Sequence, residues 1–168
     1  KRGIGKTTLL NWKVTESREY FPQSNEIKTA INFNYYRNGE LINIKYRDNK
    51  KNFKLFKSGE LIFYGLDNIK EMEKIYIVEG EIDALTFHEA GIYSVCSVPN
   101  GANLGKQKLE YLDNCWDYFT NKKEIVLCTD NDQPGLFLRN ELARRLGQGK
   151  CSYVDFGEFK DANDLYLK

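Results

Sequence analysis

The sequence predicts an α+β chain in two parts: a small, basic, mixed β subdomain, then an α/β half whose parallel sheet is flanked by helices. Three observations predict it. Residues 30–64 contain short runs in which apolar and polar residues alternate, the signature of strands buried on one face. Residues 75–156 contain four short, nearly continuous apolar runs separated by helical patterns, as expected of parallel strands covered on both faces. The charge also changes sign. Residues 1–71 carry 14 Lys and Arg against 8 Asp and Glu, and residues 72–168 carry 11 against 16.

The elements follow in order. A short helix is expected around Lys6–Lys13. Ala30–Tyr36 and Leu41–Tyr46 read as a hairpin, because Arg37-Asn38-Gly39-Glu40 between them supplies Asn-Gly turn chemistry. Asn52–Lys57 and Leu61–Tyr64 continue the antiparallel pattern. The polar stretch Asp67–Glu71 marks a boundary, giving units 1–71 and 72–168. Beyond it, Ile75–Val78, Tyr93–Val98, Ile125–Thr129 and Cys151–Phe156 are the buried strands. Glu81–Ala90, Lys106–Phe119 and Gly135–Leu146 are the connecting helices, with Gly91 and Gly147 as C-terminal stops.

Composition narrows the classes. No apolar stretch approaches the ~20 residues of a membrane helix. Lys1-Arg2-Gly3-Ile4 has no apolar region behind it, so the start reads as the inside of a longer chain and not as a signal peptide. Cys96, Cys115, Cys128 and Cys151 are widely spaced and accompanied by one histidine, a poor set for zinc and a natural one for buried reduced thiols in a cytoplasmic protein. Gly5-Lys6-Thr7-Thr8 imitates the end of a phosphate-binding loop but lacks the preceding strand and first glycine. His88 lies too far along its helix from the strand end to act as a catalytic base.

The acidic residues carry the chemistry. Glu79 follows the first buried strand, Asp130 and Asp132 follow the third, and Asp161 follows the last. In an open parallel sheet all three loops open onto the carboxyl-end rim, where ligands bind. Carboxylates crowded together repel unless a cation neutralises them. Oxygen-only ligands suit Mg²⁺ or Mn²⁺, and a pair of such ions serves phosphoryl chemistry. Asp132, Asp164 and Asp83 have simpler readings as helix caps or dipole partners. The residues alone leave nucleotidyl transfer and phosphodiester cleavage both open.

Glu-Gly-Glu-Ile-Asp-Ala-Leu at 79–85, Thr-Asp-Asn-Asp-Gln-Pro-Gly at 129–135 and Lys-Asp-Ala-Asn-Asp at 160–164 resemble the motifs of a Toprim domain. Val98-Pro99-Asn100-Gly101-Ala102 resembles the Pro-x-Gly loop of its primase members, and Lys-Asp-Ala-Asn-Asp is similar to phage-type primase-helicases and Twinkle. Upstream, Arg2-Gly3-Ile4 with Thr8-Leu9, Lys45-Tyr46-Arg47 and Lys51-Asn52-Phe53 resemble the basic part of a DnaG-type primase core.

The resemblance implies a Rossmann-like Toprim domain at 72–168 behind the basic subdomain of a primase polymerase core at 1–71. It implies metal-dependent synthesis of short RNA primers on single-stranded DNA from ribonucleoside triphosphates. Glu79 would be metal ligand or general base, Asp130 and Asp132 the paired catalytic aspartates, and Asp161 the late metal ligand. Lys45, Arg47, Lys51, Lys54 and Lys160 would meet template or nucleotide phosphates, with Tyr46 and Phe53 either packing in the sheet or stacking on bases. A replicative helicase in cis or trans is the implied partner. The compartment implied is a bacterial or phage-infected cytoplasm, near the nucleoid. A Toprim nuclease, a topoisomerase-like cleavage module and a non-catalytic nucleic-acid-binding module are the alternatives.

Overall fold

The computed structural model describes residues 2–102 and 109–168 of the 168-residue chain. Alternating apolar and polar residues build the first sheet, from β1 (Thr15–Phe21), β2 (Glu26–Arg37), β3 (Glu40–Arg47) and β4 (Phe53–Leu55), in the order β1-β2-β3-β4. Every pairing in it is antiparallel, as the alternating runs and the Asn-Gly turn lead one to expect. The expected hairpin joins β2 and β3 through Asn38 and Gly39, both at positive φ. Its period-2 pattern sorts the residues between two faces. Phe33 and Tyr35 enter the main core, whereas Ala30 and Tyr46 join Phe21 in a small core on the opposite face.

The second sheet is parallel, with order β6-β5-β7-β8, from β5 (Lys74–Val78), β6 (Val95–Ser97), β7 (Glu124–Cys128) and β8 (Cys151–Tyr153). Ile75, Ile77, Val78, Val95, Cys96, Ile125 and Leu127 are essentially inaccessible, which explains why β5, β6 and β7 read as apolar runs; β8, expected as a buried strand over Cys151–Phe156, is instead an edge strand with Ser152 and Tyr153 exposed. The helices are α1 (Lys6–Asn11), α2 (Leu66–Ile69), α3 (Glu81–Glu89), α4 (Glu110–Asp113), α5 (Asp117–Thr120), α6 (Gln133–Leu146) and α7 (Ala162–Tyr166). α3 stops where Gly91 takes a φ of +81°, a left-handed position that glycine fills without a Cβ clash.

Three further expectations are corrected. The segment Leu61–Tyr64 is not a strand of the first sheet. Ile62, Phe63 and Tyr64 are buried in the main core, and the only described pairing there is a single bridge from Tyr64 to Ser97. The helix expected over Lys106–Phe119 falls partly outside the described residues, and its remainder breaks into the two short helices α4 and α5. Strand β1 was not anticipated, because it is mostly exposed and only Phe21 is fully buried.

One core joins the sheets. Trp12, Phe33, Tyr35 and Phe63 pack in the same cluster as the β5, β6 and β7 side chains. Lys122 reinforces the seam by donating to the Ile69 and Lys70 carbonyls at 2.5 and 2.9 Å, satisfying acceptors that the end of α2 leaves free.

Candidate active site

The strand order β6-β5-β7-β8 reverses direction of travel between β5 and β7. That is the switch point where an open α/β sheet leaves a crevice at its carboxyl ends. Glu79 leaves β5 there, and Asp130 and Asp132 leave β7. Glu79 is held from two sides. Its Oε1 accepts the Ala102 N–H at 3.0 Å and its Oε2 accepts the Asp130 N–H at 3.3 Å.

Asp132 caps α6 by accepting the Gly135 N–H at 3.0 Å, and Asp161 caps α7 by accepting the Asp164 N–H at 2.8 Å. Asp132 therefore does the capping work that the sequence allowed, whereas at α7 the cap is Asp161 and not Asp164. Gly135 has a separate reason to be glycine: a Cβ there would collide with the Asp130 carbonyl. The helix start thus presses directly on the loop that carries Asp130.

Asn131 ties the two acidic loops together. Its N–H donates to the Lys160 carbonyl at 2.8 Å, and its side-chain amide reaches the Gly157 and Phe159 carbonyls at 3.2 Å. Lys160 then returns over the rim, with Nζ 3.4 Å from Asp130 and 3.5 Å from Asp132.

Crowding and burial show in the protonation of these groups. Burial, then the neighbouring Glu79 charge, pushes Asp130 up to about 7 despite the opposing pull of Lys160. Burial likewise raises Glu79 above the usual carboxylate range, against the two N–H groups it accepts. Asp83 is pushed up to about 8, by burial first and then by Asp161 and Asp130. Sequence reasoning missed Asp83 as a member of this rim. The available signal was its place in the first turn of α3, four residues past Glu79, at the same strand end.

The rim opens into a cavity of about 560 Å³ lined by Glu79, Asp83, Asp130, Lys160, Lys45 and Phe53. Phe53 is 41% exposed, with Lys45 and Arg47 over its ring at 5.1 and 5.6 Å, whereas Tyr46 is buried. Of the expected phosphate-binding cations, Lys45 reaches the cavity but is paired with Glu81 at 2.8 Å, and Lys54 is paired with Glu19 at 2.8 Å. Lys51 is exposed in the turn between β3 and β4 at a φ of +63°. Arg47 lies with Arg18, Lys28 and Lys50 along a separate groove of about 540 Å³. The glycine-lysine run near the N-terminus is not a phosphate cradle, because the Gly5 N–H is already taken by Glu89 at 2.6 Å.

Residues 76–166 match the family model described as Toprim-like. The chain belongs to the Toprim-like family. It is 36% identical to a primase homolog protein of Arabidopsis thaliana, over 94% of this chain and 52% of that protein. It is 37% identical to the chloroplastic/mitochondrial Twinkle homolog protein of the same plant, over 99% of this chain and 25% of that one. The chain thus spans about half of one of these relatives and a quarter of the other. The crystal structure of the primase fragment of the bacteriophage T7 primase-helicase protein superimposes with a TM-score of 0.82 at 29% identity, covering 99% of this chain and 66% of that one. This Toprim-like chain therefore shares its fold with that primase fragment over both sheets, and not over the parallel sheet alone.

A divalent ion fits the donor set on chemical grounds. The rim offers carboxylate oxygens, two of its aspartates are held well above their ordinary values by burial and by neighbouring carboxylates, and an ammonium already rests beside Asp130 and Asp132, where a cation relieves carboxylate repulsion. Among the described residues no three carboxylates converge as a finished metal cage, so side-chain rotation has to accompany binding.

Proposed function

We propose that this chain is the catalytic core of a DNA primase, joining ribonucleotides into short primers on a single-stranded DNA template. The observation that carries the reading is the gathering of Glu79, Asp83 and Asp130 at the β5–β7 switch point, facing a cavity whose other wall comes from the basic sheet. Acidic wall and basic wall suit the two halves of nucleotidyl transfer: one manages the reacting phosphate, the other holds polyanions. The likeness to primase proteins over nearly the whole chain supports it.

Glu79, Asp83, Asp130, Asp132 and Asp161 would hold Mg²⁺ or Mn²⁺, as one ion or a pair. Such ions neutralise charge on the transferring phosphate and the leaving pyrophosphate. Glu79, with its raised proton affinity and fixed position, accepts the proton of an attacking sugar hydroxyl. Lys160, resting beside Asp130 and Asp132, would turn its ammonium to triphosphate oxygens. Lys51 and Arg47 hold template phosphates, and Phe53 provides a face on which a base can stack. A helicase, on the same polypeptide or another, would supply the single strand. Among the described residues no helix is long and apolar enough to cross a membrane.

The test incubates circular single-stranded DNA with labelled ribonucleotides and Mg²⁺ or Mn²⁺, beside an Asp130→Asn control. Short labelled oligomers that vanish in the control support the proposal. Linearisation of the circle without oligomers would instead place the chain among Toprim nucleases.

A further inference from the structure

Beside the acidic rim, on the wall of the same cavity, a second polar cluster ties the antiparallel sheet to the start of α3. Tyr35 of β2 donates its hydroxyl to Glu81 Oε1 at 2.5 Å, and Lys45 of β3 donates to the same oxygen at 2.8 Å. Lys45 Nζ has a second acceptor, the Pro99 carbonyl, at 2.8 Å. Tyr35 is 1% and Glu81 4% exposed. A buried ion pair is seldom the most stable way to fill such a space, since apolar side chains of similar volume do as well or better. Its retention points to a geometric role, and the geometry leads to the rim.

Pro99 begins the segment 99–102, which turns at Gly101 with a φ of +63°. The segment ends at Ala102, whose N–H donates to Glu79 Oε1 at 3.0 Å. Lys45 grips one end of this segment and Glu79 the other. Glu81, the first residue of α3 and two positions beyond Glu79, anchors Lys45 while being fixed by Tyr35.

We propose that Tyr35, Glu81 and Lys45 form a positioning lock, through which the antiparallel sheet holds the Pro99–Ala102 segment against Glu79. Glu79 is then aimed only while the two sheets are docked. The basic sheet acts as a mechanical partner of the acidic rim, in addition to being a surface for polyanions. The three residues are positioning residues, since none is required to touch substrate for this role. The kinetic consequence rests on the proposed nucleotidyl transfer; the structural consequence does not.

The test uses the full chain with two variants, Tyr35→Phe, which removes only a hydroxyl, and Lys45→Met. Amide hydrogen exchange is read by NMR at Ala102, with Ile77 and Leu127, paired neighbours in the parallel sheet, as internal controls. The expected result is an exchange rate at Ala102 raised at least about fivefold, the factor set by one net hydrogen bond, with Ile77 and Leu127 unchanged. Acceleration shared equally by all three amides would reduce the trio to general fold stability and overturn the proposal. So would an unchanged Ala102 in both variants. If Lys45→Met fails to fold, Tyr35→Phe decides alone.

In primer synthesis the lock predicts a lower kcat with the nucleotide KM unchanged. A raised KM at constant kcat would make Lys45 a nucleotide contact and end the positioning role. Were the wild-type chain to make no oligomers, the proposed reaction would fall while the exchange result stood.

Discussion

Replacing Asp130 by asparagine should make the cation-free protein more stable at pH 8 while abolishing its chemistry. Asp130 has a side chain only 15% exposed, and burial with the Glu79 charge raises it from an ordinary 3.8 to about 7. The folded state therefore holds a proton that the unfolded chain has released between those two values. Stability consequently falls as pH rises through that window and stays low above it. At 1.36 kcal/mol for each pH unit across the window, the penalty at pH 8 is about 4 kcal/mol. An asparagine in its place must still give up its own hydration, which returns part of the gain, so about 2 kcal/mol net is expected. For a chain of this size that is a rise of about 4–8 °C in the unfolding midpoint. The assay is thermal and urea unfolding of both proteins in chelator, at pH 5 and pH 8, and again with excess Mg²⁺. The variant's advantage should vanish at pH 5, where the penalty is below about 2 kcal/mol, and disappear with Mg²⁺ at pH 8. An equal shift at both pH values, or a variant destabilised at pH 8, would refute the argument that a buried carboxylate charge weakens this rim.

Further outcomes follow from the same geometry. Gly135→Ala drives a Cβ into the Asp130 carbonyl and should cost about 1–3 kcal/mol as overpacking, visible as a lower urea midpoint that Mg²⁺ does not restore. Lys160→Ala removes the ammonium between Asp130 and Asp132. Because that side chain is more than half exposed, the loss in chelator should stay under about 1 kcal/mol and vanish in excess Mg²⁺. Lys51→Ala should leave the fold unchanged and lower the slope of single-strand affinity against salt by about one charge, measured by fluorescence anisotropy on a labelled oligonucleotide. An unchanged slope would remove Lys51 from the template path.

What could be read from the sequence divides along a physical line. The parallel strands were legible because burial on both faces forces near-continuous apolar runs, and Ile75–Val78 and Ile125–Cys128 satisfy that condition. Strand β1 was not, because Thr15-Glu16-Ser17-Arg18-Glu19 lies on an exposed edge where nothing demands apolarity. Leu61–Tyr64 failed in the opposite sense: its apolar residues report burial, and burial does not by itself imply a ladder of hydrogen bonds. At the site, Glu79, Asp130 and Asp132 were legible because strand ends fix where their loops emerge. Asp83 was hidden by an adequate local explanation, a carboxylate in the first turn of a helix, and only the positions of Asp130 and Asp161 turn it into a member of the rim.

Lys45 shows the remaining limit, and it bears on how the basic sheet is to be understood. A lysine on a strand in a basic region reads as a phosphate contact. Its actual partner, Glu81, lies 36 residues away, and its second acceptor, the Pro99 carbonyl, lies 54 away. Local pattern cannot register a pairing that exists only because β3 docks beside α3. The net charge of the first half therefore overstates the cation available to a polyanion, since Lys45 is already paired with Glu81 of the second half. Of the expected phosphate-binding cations in this half, exposed Lys51 and Arg47, whose groove also holds Arg18 and Lys50, carry no such pairing among the described residues. Salt dependence should accordingly respond to these positions and not to Lys45, whose removal should act on the aim of Glu79.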